Sequence, residues 1–114
     1  MSISALTYQP VLRLTVRASQ DITAYHFVDF TGSICDLGEQ SLGVADYDAI
    51  IGENISVITL GTAIVRAREV IENGQYVSSD ELGNAKVFLA GEKICGKAIG
   101  ASSNGFVKIL LMQN

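Results

Sequence analysis

The stretch from Val16 to Val28 returns 49 residues later, and this return constrains the fold more than any other feature of the chain. Val16-Arg17-Ala18, Ile22 and Phe27-Val28 are echoed without a gap by Val65-Arg66-Ala67, Ile71 and Tyr76-Val77, with five of thirteen positions identical. Each copy continues through a polar stretch into an apolar residue, a glycine, any residue and an alanine. These are Leu42-Gly43-Val44-Ala45 in the first copy and Cys95-Gly96-Lys97-Ala98 in the second. Each copy then ends in an alternating apolar run, Ile55 to Leu60 and Phe106 to Leu111. The offset drifts from 49 to 53 to 51, and the drift falls in the polar stretches, where loops absorb insertions. An internal duplication is expected, with pseudo-repeats 12–60 and 61–112.

The periodicity is that of strands. Leu12, Leu14 and Val16 alternate with Arg13, Thr15 and Arg17, which predicts a half-buried strand with the aliphatic residues on one face. Tyr25 to Thr31 is expected as a second strand, with aromatic residues on both faces. Ile55 to Leu60 and Thr62 to Ala67 read as separate strands either side of Gly61, and Asn73-Gly74 is a tight-turn signal. Short strands near Leu42, Gln75, Lys86, Lys93 and Phe106 complete the set. Eight or nine short strands and no long helical pattern predict an all-β chain, a small closed or nearly closed barrel or sandwich. Residues 1–10, with Pro10 at the boundary, are expected as an extended N-terminal arm, and 11–114 as a single β domain.

At 114 residues the chain is long enough for one core without metal or disulfide. Only 18% of its residues are charged, against about 25% ordinarily. With 48% hydrophobic residues it carries more apolar surface than a small monomer hides, so self-association or docking on a partner is expected. The net charge of −4, without a basic stripe, argues against nucleic acid as a partner. No apolar run is long enough to span a membrane as a helix, and Met1 to Leu6 does not read as a secretory signal. Cys35 and Cys95 fall at non-equivalent places in the two copies and are expected as free thiols.

No constellation for catalysis stands out. His26 has no nucleophile in a catalytic phrase beside it. Gly91 to Lys97 has P-loop spacing, but Ala98 stands where a magnesium-binding hydroxyl belongs, and a strand follows where a helix is needed. Asp46, Asp48 and Glu53 share one loop without calcium-loop spacing, so no metal and no cofactor is expected. Arg66, Arg68, Glu69 and Glu72 form a charge-dense turn that reads as a solvated edge or as the rim of a subunit contact.

Laid out in order, these motifs resemble the bacteriophage capsid decoration, or head cement, proteins. The resemblance runs through Tyr8-Gln9-Pro10, Val16-Arg17-Ala18 with Asp21-Ile22, Phe27-Val28, Leu42 to Ala45 and Gly52-Glu53. It continues through Gly61, Val65, Ala67, Ile71, Asn73-Gly74, Val77, Gly96, Ala98 and the closing Phe106 to Leu111. One departure is Ala24-Tyr25, where the family pattern has a glycine that the second copy keeps as Gly74. The resemblance implies a non-enzymatic protein, made in the host bacterial cytoplasm, that adds to the outer surface of an expanded head and bridges capsomers against DNA pressure. It implies the major capsid protein as partner and a homo-oligomer, a trimer in preference to a dimer. Ser2, Ile3, Ser4, Ala5, Leu6, Thr7 and Tyr8 are the expected capsid contact, with Arg66, Arg68, Glu69 and Glu72 at an interface. The competing reading is a small β-barrel adaptor or a carbohydrate- or peptide-binding module, which needs exposed aromatic residues on one face.

Overall fold

The computed structural model describes residues 8–112, which form eight strands and no helix. In chain order they are β1 (Pro10–Arg17), β2 (Phe27–Val28), β3 (Gly43–Ala45), β4 (Asn54–Arg66), β5 (Tyr76–Ser79), β6 (Ala85–Val87), β7 (Gly96–Ala98) and β8 (Phe106–Leu111). The pairings between these strands are antiparallel, in the order β2-β3-β4-β8-β7-β5-β6, with β1 also on β4. The two ends of this order meet where Phe27 donates its N–H to the Gly83 carbonyl at 2.7 Å, beside the turn that joins β5 to β6. The sheet is thereby nearly closed into a barrel.

Strand β4 joins the halves. Its first part pairs with β1 and β3, its second with β8. The two runs expected on either side of Gly61 are therefore one strand. It bends at Gly61, where φ is +97° and a Cβ would overlap the backbone of Gln9 and Val11. Only glycine allows that conformation and that approach together.

The two halves pair alike. Val16 opposes Ile55, and 49 and 52 positions on, Val65 opposes Val107. Phe27 opposes Val44 as Tyr76 opposes Lys97, and Ala45 opposes Val57 as Ala98 opposes Ile109. The bonds between Ile22 and Ala49 have a counterpart at Ile71 and Ser102. There the Ser102 Oγ replaces the backbone carbonyl as acceptor from the Ile71 N–H, at 3.0 Å. The register sets the last block at an offset of 52, one more than the apolar runs suggest. A slip of one residue would turn the buried Val107 and Ile109 outward.

Tyr25 to Thr31 is not a continuous strand. Pairing stops after Val28 because the Asp29 carboxylate accepts from the backbone N–H groups of Thr31 (2.8 Å) and Ser33 (3.1 Å) and folds the chain back. Asp80 does the same for Leu82 (2.9 Å) and Asn84 (2.7 Å). Gly32 and Gly83 take positive φ at matching places in these two turns.

The larger core, built around Phe27, Ile58, Val65, Ile71, Val77 and Ile109, fills the barrel. A second, smaller core lies against the first half, with Ile22, Val28, Ile55 and Val57 at its centre. Inside the larger core both cysteine thiols are directed at the Glu39 carbonyl, Cys35 Sγ at 3.4 Å and Cys95 Sγ at 3.7 Å, and both are free. Burial pushes the Cys35 thiol up to about 12 and raises that of Cys95 as well.

Candidate functional site

Of the residues expected at an interface, Ser2, Ile3, Ser4, Ala5, Leu6 and Thr7 lie outside the described residues. Tyr8 is half-buried against the larger core, and its hydroxyl donates to Asp46 Oδ1 at 3.1 Å. Burial, together with that carboxylate, raises the phenol above its ordinary value. Arg13 holds the other Asp46 oxygen, Nε to Oδ2 at 2.7 Å. Gln9 exchanges hydrogen bonds with Thr62, through Thr62 Oγ1 at 2.6 Å and its own carbonyl at 3.1 Å. Tyr8 and Gln9 are therefore anchored on the barrel, ahead of β1.

The charge-dense turn divides. Arg68 reaches Glu81 at an exposed 3.6 Å, and Glu69 Oε2 accepts from the Val87 N–H at 2.8 Å, so both serve the β6 side of the barrel. Glu72 is exposed, and its N–H donates to Gln75 Oε1 at 2.9 Å. Arg66 goes elsewhere, with its guanidinium 5.5 Å from the centre of the Phe106 ring, and it makes no ion pair among the described residues.

Arg66 and Tyr8 thus flank one small pocket. Tyr8, Tyr25, Ile64 and Phe106 line about 80 Å³ of space with almost wholly apolar walls. Tyr25 meets Phe106 edge-to-face, with ring centres 5.6 Å apart, and is still 38% exposed. Its φ is +70°, a left-handed conformation that costs a side-chain-bearing residue about 1–2 kcal/mol. The family departure noted at Ala24-Tyr25 is therefore a tyrosine in a glycine's conformation.

A second surface lies at the open end of the smaller core. Leu14, Phe30, Leu42, Leu60, Leu111 and Met112, with Thr59, line a groove of about 320 Å³ that carries no charged side chain among the described residues. Leu12 and Leu14, expected to face inward, are exposed instead. Among the described residues strand β1 pairs only with β4, and the smaller core ends before it covers these residues.

A wider cleft, about 850 Å³, lies among the loops around His26 and is rich in carboxylates. Those groups have local structural work. Asp21 accepts from the Ile51 N–H, Asp48 from the Ala24 N–H and Glu53 from the Ile50 N–H, each at 2.8–2.9 Å. His26 Nδ1 lies 3.0 Å from Thr23 Oγ1. Asp46, in the loop weighed for calcium, is held by Tyr8 and Arg13. No group of three metal-ligating side chains converges among the described residues.

A family model described as phage cement protein matches residues 6–113. The chain belongs to the phage cement protein family. Membership makes it a structural protein associated with the phage capsid. Among solved structures, it is similar to the N base of the head fiber gp8.5 of bacteriophage phi29. That likeness has a TM-score of 0.74 at 18% identity and covers 89% of this chain and 93% of that one, a likeness of fold. A comparison with the curated proteins returns no match. For a cement protein the two apolar surfaces are the features to account for. Neither is legible as a motif. The groove draws on five separate segments and the pocket on four, and only the fold assembles them.

Proposed function

We propose that this cement protein coats the outer surface of the expanded head and, by bridging capsomers, stabilises the shell against the pressure of packaged DNA. The reading rests chiefly on the family match over nearly the whole chain. Its partner in this reading is the major capsid protein, and it performs no turnover. It is made in the host bacterial cytoplasm and ends on the virion. Individually modest contacts suffice, because a unit that engages several shell subunits at once binds by effective concentration.

The groove of Leu14, Phe30, Leu60 and Met112 is assigned to a second copy of this chain. With a net charge of −4, copies repel one another unless they meet on uncharged surface, and the described lining of this groove is uncharged. A homo-oligomer follows, with a trimer preferred to a dimer because it suits the three-fold positions of an icosahedral shell. Ser2 to Thr7, ahead of the anchored Tyr8, is assigned to the shell as an added strand, a mode that relies on backbone hydrogen bonds. The direct test is head stability. Heads saturated with the protein should release DNA at a higher temperature than bare expanded heads, and an unchanged release temperature would reject the reading.

A further inference from the structure

The pocket of Tyr8, Tyr25, Ile64 and Phe106 is the feature whose construction the fold alone does not account for. The matching place in the other half of the barrel is Gly74, where φ is +86° and a Cβ would meet nothing within 4 Å. The first half keeps a tyrosine in that conformation, at φ +70°, and leaves its ring partly in solvent. Strain retained where a glycine serves the same backbone points to a side chain with a role beyond folding.

Three observations limit what the pocket can take. Its volume of about 80 Å³ is that of roughly three waters, enough for one aliphatic side chain and too little for a sugar ring. Its walls are almost wholly apolar, and the Tyr8 hydroxyl is committed to Asp46, so a polar ligand would lose more hydrogen bonds than it gained. At its edge stands Arg66, a cation over the Phe106 ring with no ion pair among the described residues, whereas Arg13 is already neutralised by Asp46.

We propose that this pocket is a socket for one aliphatic side chain of the shell protein, and that Arg66 holds an Asp or Glu next to that side chain in the same segment. The inference deepens the proposed function and rests on it. In this arrangement Tyr25 and Phe106 supply rigid contact area and Arg66 supplies register, a pairing of aromatic and arginine anchors typical of interface hot spots.

The experiment compares occupancy of expanded heads by the parent chain, Tyr25→Gly and Arg66→Glu, alongside their thermal unfolding. Tyr25→Gly should unfold no lower than the parent and yet bind heads at least about tenfold more weakly. Arg66→Glu, an exposed change that leaves the fold intact, should weaken binding to a similar degree. Parent-like occupancy by both variants overturns the socket and leaves the cement reading standing, whereas failure of the parent itself to bind overturns both. A photo-reactive benzoylphenylalanine at position 25 identifies the occupant. An adduct with a shell segment that carries an aliphatic residue beside an acidic one is expected. An adduct within the chain or with a second copy overturns the proposal.

Discussion

Tyr25 and Gly74 hold the same backbone position in the two halves of the barrel. Each donates its N–H at 2.9 Å to the carbonyl of an alanine that ends a short strand, Ala45 for Tyr25 and Ala98 for Gly74, and both have positive φ. One half meets the demand for a left-handed residue with glycine, the other with a tyrosine whose ring lines an exposed pocket. The conserved element is therefore the hydrogen-bond frame, and what differs between the halves is what the frame presents.

Glycines in this frame separate into two kinds, and alanine substitutions distinguish them. Gly74→Ala meets no neighbour and should cost only the backbone term, about 1 kcal/mol. Gly96→Ala places a Cβ 2.8 Å from Ile109 Cδ1 and 2.9 Å from the Leu110 carbonyl, and should cost about 2–3 kcal/mol as β7 is forced off β8. Urea unfolding of the two variants checks the order.

A buried ion pair makes stability depend on acidity. Lys86, 7% exposed, holds Glu92 Oε1 at 2.6 Å, and the same oxygen accepts from the Leu89 N–H at 2.9 Å. Burial alone would raise the Glu92 carboxyl, but these hydrogen bonds outweigh it and hold the group below its unfolded value of 4.5. The contribution is therefore complete above pH 4.5 and is lost as pH falls through the lower, folded value. Glu92→Gln should cost about 2 kcal/mol at pH 7, and the gap to the parent should narrow in acid, as read by denaturant unfolding at several pH values.

The thiols of Cys35 and Cys95 should be inert in the folded chain. Burial pushes Cys35 up to about 12 and raises Cys95, so neither carries appreciable thiolate at pH 8. A colorimetric thiol reagent should react with neither until denaturant is added, and then with both.

The groove should set the oligomeric state. Leu60 is 52% exposed, so Leu60→Asp should change stability by less than about 1 kcal/mol, yet place a charge on the face proposed as the contact between copies. Sedimentation velocity should shift from oligomer towards monomer, and an unchanged profile would remove the groove from the contact.

The all-β class and the matching strand pattern of the two halves were legible because alternating β-branched residues leave a strong period-two signal and the matched blocks contain no gaps. The final register was not. Phe106 and Val107 are both apolar, so either can be set against Ile55, and only the hydrogen-bond pairing chooses Val107. The twin aspartate turns leave no clear repeat in the sequence, because Asp29-Phe30-Thr31-Gly32 and Asp80-Glu81-Leu82-Gly83 share only their ends. Leu12 and Leu14 follow the rule for a buried face, but that rule is blind to whether anything covers the face. Arg66 looked like a member of the charged turn by proximity in sequence. Its place over Phe106 depends on the pairing of β4 with β8, which brings together residues 40 positions apart.

Binding of this protein to the matured shell is measured by co-sedimentation with heads. Purified protein is titrated against expanded, undecorated heads and against immature heads from the same phage, and the pelleted ratio to major capsid protein is measured. Saturable binding to expanded heads alone is expected, at a fixed ratio that further protein does not raise. No binding to expanded heads, or equal binding to both forms, would contradict the proposed function.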